Sequence, residues 1–389
     1  MNRNSQGVYL LAKTIQFFLT PVAKLKYGNK KIWIVSERGH DARDNGYHMF
    51  VYLRKHHPEI NAWYLISEDS PDLSKISDLG NIVYKRSLKY FMMFISASVF
   101  VGAFVPFIPS GNKKFGLDVK KKKNQKYVFL QHGVIDKFLP VYHKDKAHFD
   151  LFFCGAKPEY DYVCEHFGYK DGEVRYTGLA RFDALHDIKT KRTVLIMPTW
   201  RTWLANLDSK EVAQSEYVKR WNSIINNPEL VSMAEQYNVN FIFYPHELMQ
   251  KYVDLFVSPN KNIIIGNRNE YDVQTLLKEC SLLVTDYSSV HFDFAYMKKP
   301  LIYYQFDGDQ FFRDHAGIGW MDHEKNGFGD CVYDEDDLIK CIGFYVKNEF
   351  EMKPEFEEHI KDVFPLHDDR NCERIYQEIV KTFDHDELF

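Results

Sequence analysis

The sequence predicts an α/β protein of two Rossmann-like, doubly wound domains facing a central cleft. Three observations carry that expectation. Short apolar, β-branched runs recur, each followed by a helical pattern, which is the alternation of a parallel sheet flanked by helices. The alternation pauses near Asp187–Lys191 and then restarts. The chain has 389 residues, room for two or three domains of about 100–200 residues each.

In chain order, Lys31–Ser36 reads as a strand and Gly46–His56 as a helix, with Met49, Phe50 and Leu53 at helical spacing. Ala62–Ile66 and Ile82–Tyr84 read as strands, Lys89–Ser96 as a helix, and Val99–Phe104, Tyr127–Gln131 and Leu151–Cys154 as strands. The apolar stretch Tyr90–Pro109 contains Gly102, Pro106 and Pro109, so it reads as a buried helix and strand rather than a membrane span. In the second half, Thr193–Met197, Val239–Tyr244, Ile263–Ile265, Leu282–Thr285 and Pro300–Tyr304 read as strands, with helices at Ser215–Asn226, Leu248–Phe256 and Val273–Glu279. The expected domains are residues 1–187 and 188–355, with residues 356–389 as terminal helices crossing back to the first.

Composition narrows the classes. The chain is 45% hydrophobic and 27% charged, a globular profile, and its net charge of −4 gives no case for nucleic acid as a partner. Six scattered cysteines form no CxxC pair, which argues against zinc ribbons and disulfide frameworks and for reduced thiols. Val8–Leu25 is apolar but interrupted by Lys13, Pro21 and Lys24, too broken for a span of about 20 apolar residues. It reads either as an interfacial helix with Phe17, Phe18 and Leu19 in lipid, or as a first helix packed on the body. Lys120, Lys121, Lys122 and Lys123, extended by Lys126, read either as a solvated loop or as a contact for anionic headgroups or a phosphate-rich acceptor.

Open α/β sheets bind ligands at the carboxyl ends of their strands. Five polar clusters fall at such exits: Asp41–Gly46, Gln131-His132-Gly133, Pro198-Thr199-Trp200-Arg201, Pro245-His246-Glu247 and Asp286-Tyr287-Ser288-Ser289. Ser288 and Ser289 open a helix whose free N–H groups suit phosphate. Arg181 and Arg201 offer guanidinium forks for phosphate, with an ion pair to Asp183 or Asp187 as the plain alternative for Arg181. His132 and His246, one per half, suit general-base and phosphate-stabilising roles. No GxGxxG, Walker loop, HExxH or GxSxG occurs, and Asp334–Asp337 reads as a helix start rather than a strand-end DxD. A required metal is not indicated.

These clusters in this order resemble the CDP-glycerol:poly(glycerophosphate) glycerophosphotransferase family of teichoic-acid synthesis. The resemblance runs from about Lys31 to Asp307 and rests on Asp41–Gly46, His132-Gly133, Gly178–Asp183, Pro198–Arg201, Tyr244–His246, Leu283–Asp293 and Lys299-Pro300. It implies a GT-B-like fold with an acceptor- and membrane-side first domain and a donor-binding second domain. The implied enzyme takes glycerol phosphate, or a related polyol phosphate, from CDP-glycerol or CDP-ribitol. It passes it to a hydroxyl of a lipid-linked teichoic-acid or capsule-type glycan and releases CMP, with no further cofactor. The implied location is peripheral, on the cytoplasmic face of the bacterial plasma membrane, against an anionic surface. His132 would be the base on the acceptor hydroxyl, and His246 would bind the donor pyrophosphate. Gly133, Arg181, Pro198, Thr199, Arg201, Tyr244, Asp272, Ser288, Ser289 and Asp293 would make up the donor site. The family's polymerases read Trp-His-Gly-Thr-Pro-Leu-Lys at the first motif, where this chain reads Gln131-His132-Gly133-Val134-Ile135-Asp136-Lys137, so the acceptor stays open. A GT-B glycosyltransferase using a nucleotide sugar and a non-catalytic envelope-binding protein remain as readings from other classes.

Overall fold

Runs such as Trp33–Ser36 (WIVS) and Leu151–Cys154 (LFFC) are almost wholly apolar with no alternation, so they suit strands covered on both faces rather than one. A computed structural model describes residues 18–104, 124–315, 317 and 319–388, and places these runs in two all-parallel sheets. The chain divides into two compact units. One holds the described residues up to Val134, together with Leu139–Ala184 and those from Asp368 on; the other holds Ile135–Phe138 and Leu185–His367.

The first sheet has seven strands: β1 Trp33–Ser36, β2 Ala62–Ile66, β3 Ile82–Tyr84, β4 Val99–Gly102, β5 Lys126–Phe129, β6 Leu151–Cys154 and β7 Val174–Tyr176, in the order β3-β2-β1-β4-β5-β6-β7. The second has six: β8 Lys191–Ile196, β9 Asn240–Phe243, β10 Ile263–Ile265, β11 Cys280–Thr285, β12 Leu301–Tyr304 and β13 Gly329–Val332, in the order β10-β9-β8-β11-β12-β13. Strand order therefore reverses between β1 and β4 in one sheet and between β8 and β11 in the other. Those are the two switch points where doubly wound sheets open a ligand crevice.

Alternate strand residues set the cores. On one face of the first sheet, Trp33, Val35, Tyr64, Val99 and Val128 pack with Met49, Phe50 and Leu53 of helix Asn45–His56. Helix Asn371–Thr382 adds Cys372, Ile375 and Ile379 to the same layer. In the second unit, Val194, Phe241, Val284 and Tyr304 pack under Tyr217, Trp221 and Ile225 of helix Glu216–Ile225.

Several details differ from the sequence reading. The boundary falls between Ala184 and Leu185, and helix Pro354–Val363 belongs to the second unit, not to a segment crossing back. Edge strands β7 and β13 were not anticipated; VRY and GDCV are short and each is interrupted by a charged residue, Arg175 or Asp330, as edges often are. Residues Glu247–Leu255 form a 3₁₀ stretch kinked at Tyr252, not a regular helix. Phe17 and Lys120–Lys123 lie outside the described residues. Among the described residues no helix is long and apolar enough to cross a membrane.

Candidate active site

In the first unit the chain leaves β5 through Leu130 and Gln131, and Gln131 adopts φ 62°. A left-handed glutamine carries strain of about 1–3 kcal/mol and needs its surroundings to hold it. Its amide Nε2 donates to Phe153 O at 2.5 Å, and its carbonyl accepts from Asn45 Nδ2 at 2.9 Å. The turn delivers His132 half exposed, at 50% of its side-chain surface, with its ring 4.3 Å from that of Phe104.

His132 Nδ1 lies 2.5 Å from Asp44 Oδ2. Asp44 also caps helix Asn45–His56, accepting from Asn45 N at 2.7 Å. A carboxylate at Nδ1 puts the hydrogen there and leaves Nε2 as the acceptor, which is the tautomer of a general base. Arg181 Nη1 donates to Asp44 Oδ1 at 2.8 Å and to the backbone carbonyl of His132. Asn45 Oδ1 takes the Arg181 backbone N–H at 2.9 Å. Burial opposes charge on Asp44, but the guanidinium of Arg181 and then His132 outweigh it and hold the carboxyl well below the usual range. Beneath it, Glu37 is pushed up by burial and by the charge of Asp44, while it accepts backbone N–H bonds from Arg43, Asp44 and Tyr47. The Arg181 segment is itself anchored: Asp183 accepts from Asn371 N and Cys372 N. Gly178, at φ 79°, packs so closely that a Cβ would sit 1.7 Å from Asn371 Oδ1.

The second unit brings its polar exits together differently. His246 leaves β9 half-buried, and its Nδ1 accepts from Leu248 N at 3.2 Å. That bond places the hydrogen on Nε2, so this ring presents a donor where His132 presents an acceptor. Trp200 lies roughly parallel to it, 6.4 Å between centroids. Beside them a cavity of about 730 Å³ is lined by Trp200, Glu247, Gln250, Asn267 and Arg268 among others. After β11, Asp286 is fully buried and accepts from Thr199 N at 2.8 Å and Tyr287 N at 2.6 Å. Ser288 is half-buried and Ser289 exposed, and Ser289 makes no capping bond to helix Val290–Tyr296.

Several expected donor residues sit elsewhere. Arg201 has no exposed side-chain surface; it forks onto Asp307 at 2.7 and 2.9 Å and lies 2.9 Å from Asp286 Oδ2, so it is an internal cation and not a phosphate ligand. Arg181 belongs to the first unit beside His132, with Asp44 as its partner rather than Asp183 or Asp187. Asp272 caps helix Val273–Glu279 through Thr275 N at 3.0 Å. Tyr244 and Asp293 are each 4% exposed, and Pro198 is buried as well, so these are interior positions. Thr199 is 8% exposed and Gly133 half-buried. The sequence reading held Asp44, Asn45 and Gln131 only as members of strand-exit clusters, with no individual role, and did not name Glu37; an Asp-Asn pair opening a helix beyond a strand was the available signal for the first two. It also gave no metal ligands, whereas Asp136, His291 and His323 converge in the second unit.

Two all-parallel, doubly wound units with a carboxylate-oriented histidine at the first sheet's carboxyl end define a protein of the GT-B-like class. The chain belongs to the CDP-glycerol:poly(glycerophosphate) glycerophosphotransferase family, whose model matches residues 17–381. It is 29% identical over 371 residues to the minor teichoic acid biosynthesis protein GgaB of Bacillus subtilis, covering 91% of this chain and 40% of that one. It is 24% identical over 371 residues to a teichoic acid poly(glycerol phosphate) polymerase of Bacillus spizizenii, covering 86% and 88%. The chain spans 40%, 42% and 52% of the length of GgaB and of the poly(glycerol phosphate) polymerases of Staphylococcus epidermidis and B. subtilis. The solved wall teichoic acid polymerase TagF superposes with a TM-score of 0.68 at 19% identity, over 99% of this chain and 100% of that one.

Proposed function

We propose that this chain transfers glycerol phosphate, or a related polyol phosphate, from a CDP-activated donor to a hydroxyl of a lipid-linked teichoic-acid-type glycan, releasing CMP. The observation that carries the reading is the Asp44–His132 pair, 2.5 Å apart, in a chain of this family. In the proposed step the acceptor hydroxyl gives its proton to His132 Nε2 as its oxygen attacks the donor's β-phosphorus. The bond from that phosphorus to the bridging oxygen breaks, and CMP leaves with the electron pair. Positioned proton transfer of this kind contributes about 10²–10⁴-fold. Asp44, itself held by Arg181, orients the imidazole, and its carboxylate stabilises the positive charge the ring gains.

Donor binding is assigned to the second unit. His246 Nε2–H, with the Ser288-Ser289 turn, meets the pyrophosphate, and the cavity beside Trp200 takes the nucleotide. The acceptor's membrane surface is assigned to the helix over residues 18–27, where Phe18, Val22 and Leu25 are 68%, 51% and 91% exposed and Lys24 and Lys26 flank them. On this reading the chain acts as a peripheral protein at the cytoplasmic membrane face, which the exposed apolar side chains beside Lys24 and Lys26 support.

A donor screen tests the reading. CDP-glycerol, CDP-ribitol, UDP-sugars and CMP-sugars are each incubated with and without a lipid-linked glycan acceptor, and the released nucleotide is identified. Acceptor-dependent CMP release from a CDP-polyol is the expected result. Release from nucleotide sugars alone, or from none, overturns it.

A further inference from the structure

The geometry points to a divalent-cation site in the second unit, built by Asp136, His291 and His323 and suited to Zn²⁺ or a similar borderline ion. One potential ligand atom from each side chain lies within 4.8 Å of the other two. The residues come from three separate stretches: segment Ile135–Phe138, the first turn of helix Val290–Tyr296, and the start of helix His323–Asn326. Backbone contacts fix the first of these. Trp320 N donates to Asp136 O at 2.9 Å and Trp320 Nε1 to Ile135 O at 2.7 Å. Gly319 lies so close that a Cβ there would sit 1.6 Å from Asp136 O.

An imidazole that binds a metal must be neutral, oriented, and aimed with its lone pair at the ion. Burial supplies neutrality. His291 is 1% exposed, and burial followed by the charges of His323 and Lys137 holds it well below the ordinary histidine range. His323 is 9% exposed and burial holds it down to about 4, against the opposing pull of Asp136. Orientation comes from outer partners: Tyr303 Oη is 2.6 Å from His291 Nδ1, and the Gln305 amide is 2.6 Å from His323 Nδ1. With each Nδ1 engaged, Nε2 is the nitrogen left for an ion. His323 Nε2 is buried with no hydrogen-bond partner among the described residues. Such an atom costs about 1–3 kcal/mol and calls for an explanation. Turning the Gln305 amide so that its oxygen accepts from Nδ1–H gives up only a 3.3 Å bond to Asp286 O, and it frees the Nε2 lone pair.

Asp136 supplies the negative charge. Its Oδ1 is 3.4 Å from Lys137 Nζ, beyond a good hydrogen bond, so the flexible lysine can yield it. Two neutral imidazoles and one carboxylate form a nitrogen-rich set that favours Zn²⁺, Co²⁺ or Fe²⁺ over Mg²⁺ and Ca²⁺, which take oxygen ligands. Three such ligands leave a fourth tetrahedral position for water or another donor. The site is independent of the phosphotransfer reading and uses none of its residues.

The test is a visible-absorption titration of the chelator-stripped full chain with Co²⁺. One equivalent should give tetrahedral d–d bands that Zn²⁺ removes. His323→Gln and Asp136→Asn, each confirmed folded by its melting curve, should weaken Co²⁺ binding at least tenfold, and Tyr303→Phe by about tenfold through the lost outer partner. Cys164→Ser, which removes an exposed thiol, should bind as the parent does. The proposal is overturned if the parent shows no such bands, a result that needs no variant, or if folded His323→Gln and Asp136→Asn bind undiminished.

Discussion

Arg201 shows what a strand-end arginine can be besides a ligand contact. Its guanidinium is enclosed with Asp286 and Asp307, and Asp286 in turn holds the turns after β8 and β11 through Thr199 N and Tyr287 N. Removing one partner of a buried ion pair leaves uncompensated charge and costs about 3–5 kcal/mol. Arg201→Ala should therefore lower the unfolding free energy by about that much in a denaturant titration. A variant with parental stability and lost donor affinity would return Arg201 to the donor site. The sequence placed Arg201 correctly after a strand but could not show that Asp286 and Asp307, 85 and 106 residues on, close around it. Asp44 was hidden by the same long-range pairing, since His132 lies 88 residues away.

Strands and helices were more legible than side-chain partnerships. β2, β3, β6 and β10 follow apolar runs whose ends are marked by turn residues, and helix Val273–Glu279 starts at its Asp272 cap. Edge strands β7 and β13 escaped because an edge does not need continuous apolar sequence. The helix over residues 18–27 left two readings open, and its burial pattern now separates its faces. Ala23 and Tyr27 are buried while Phe18, Val22 and Leu25, spaced four and three apart, point outward. Moving one such side chain from water into an apolar phase is worth about 1.5–3 kcal/mol. Phe18→Asp with Leu25→Asp should thus reduce co-sedimentation with anionic vesicles by at least tenfold while leaving the melting temperature near the parent's. Equal sedimentation of parent and variant would show that this face serves something other than a membrane.

At the scale of the whole molecule, two units of one architecture carry histidines of opposite hydrogen-bonding character. The first unit's His132 is held by Asp44 with Nε2 as acceptor, and the second unit's His246 is held by Leu248 N with Nε2 as donor. One suits taking a proton from an acceptor alcohol, the other suits a phosphate oxygen. The split predicts different kinetic losses. A substitution at His246 should disturb donor affinity and turnover together, whereas one at His132 should touch turnover alone. The most direct measurement is steady-state CMP release by His132→Ala across a range of CDP-glycerol concentrations, with the lipid-linked acceptor present. The expected result is a kcat lowered by about 10²–10⁴-fold with the donor KM little changed. Near-parental kcat would contradict it and leave substrate positioning, not proton removal, as the source of rate.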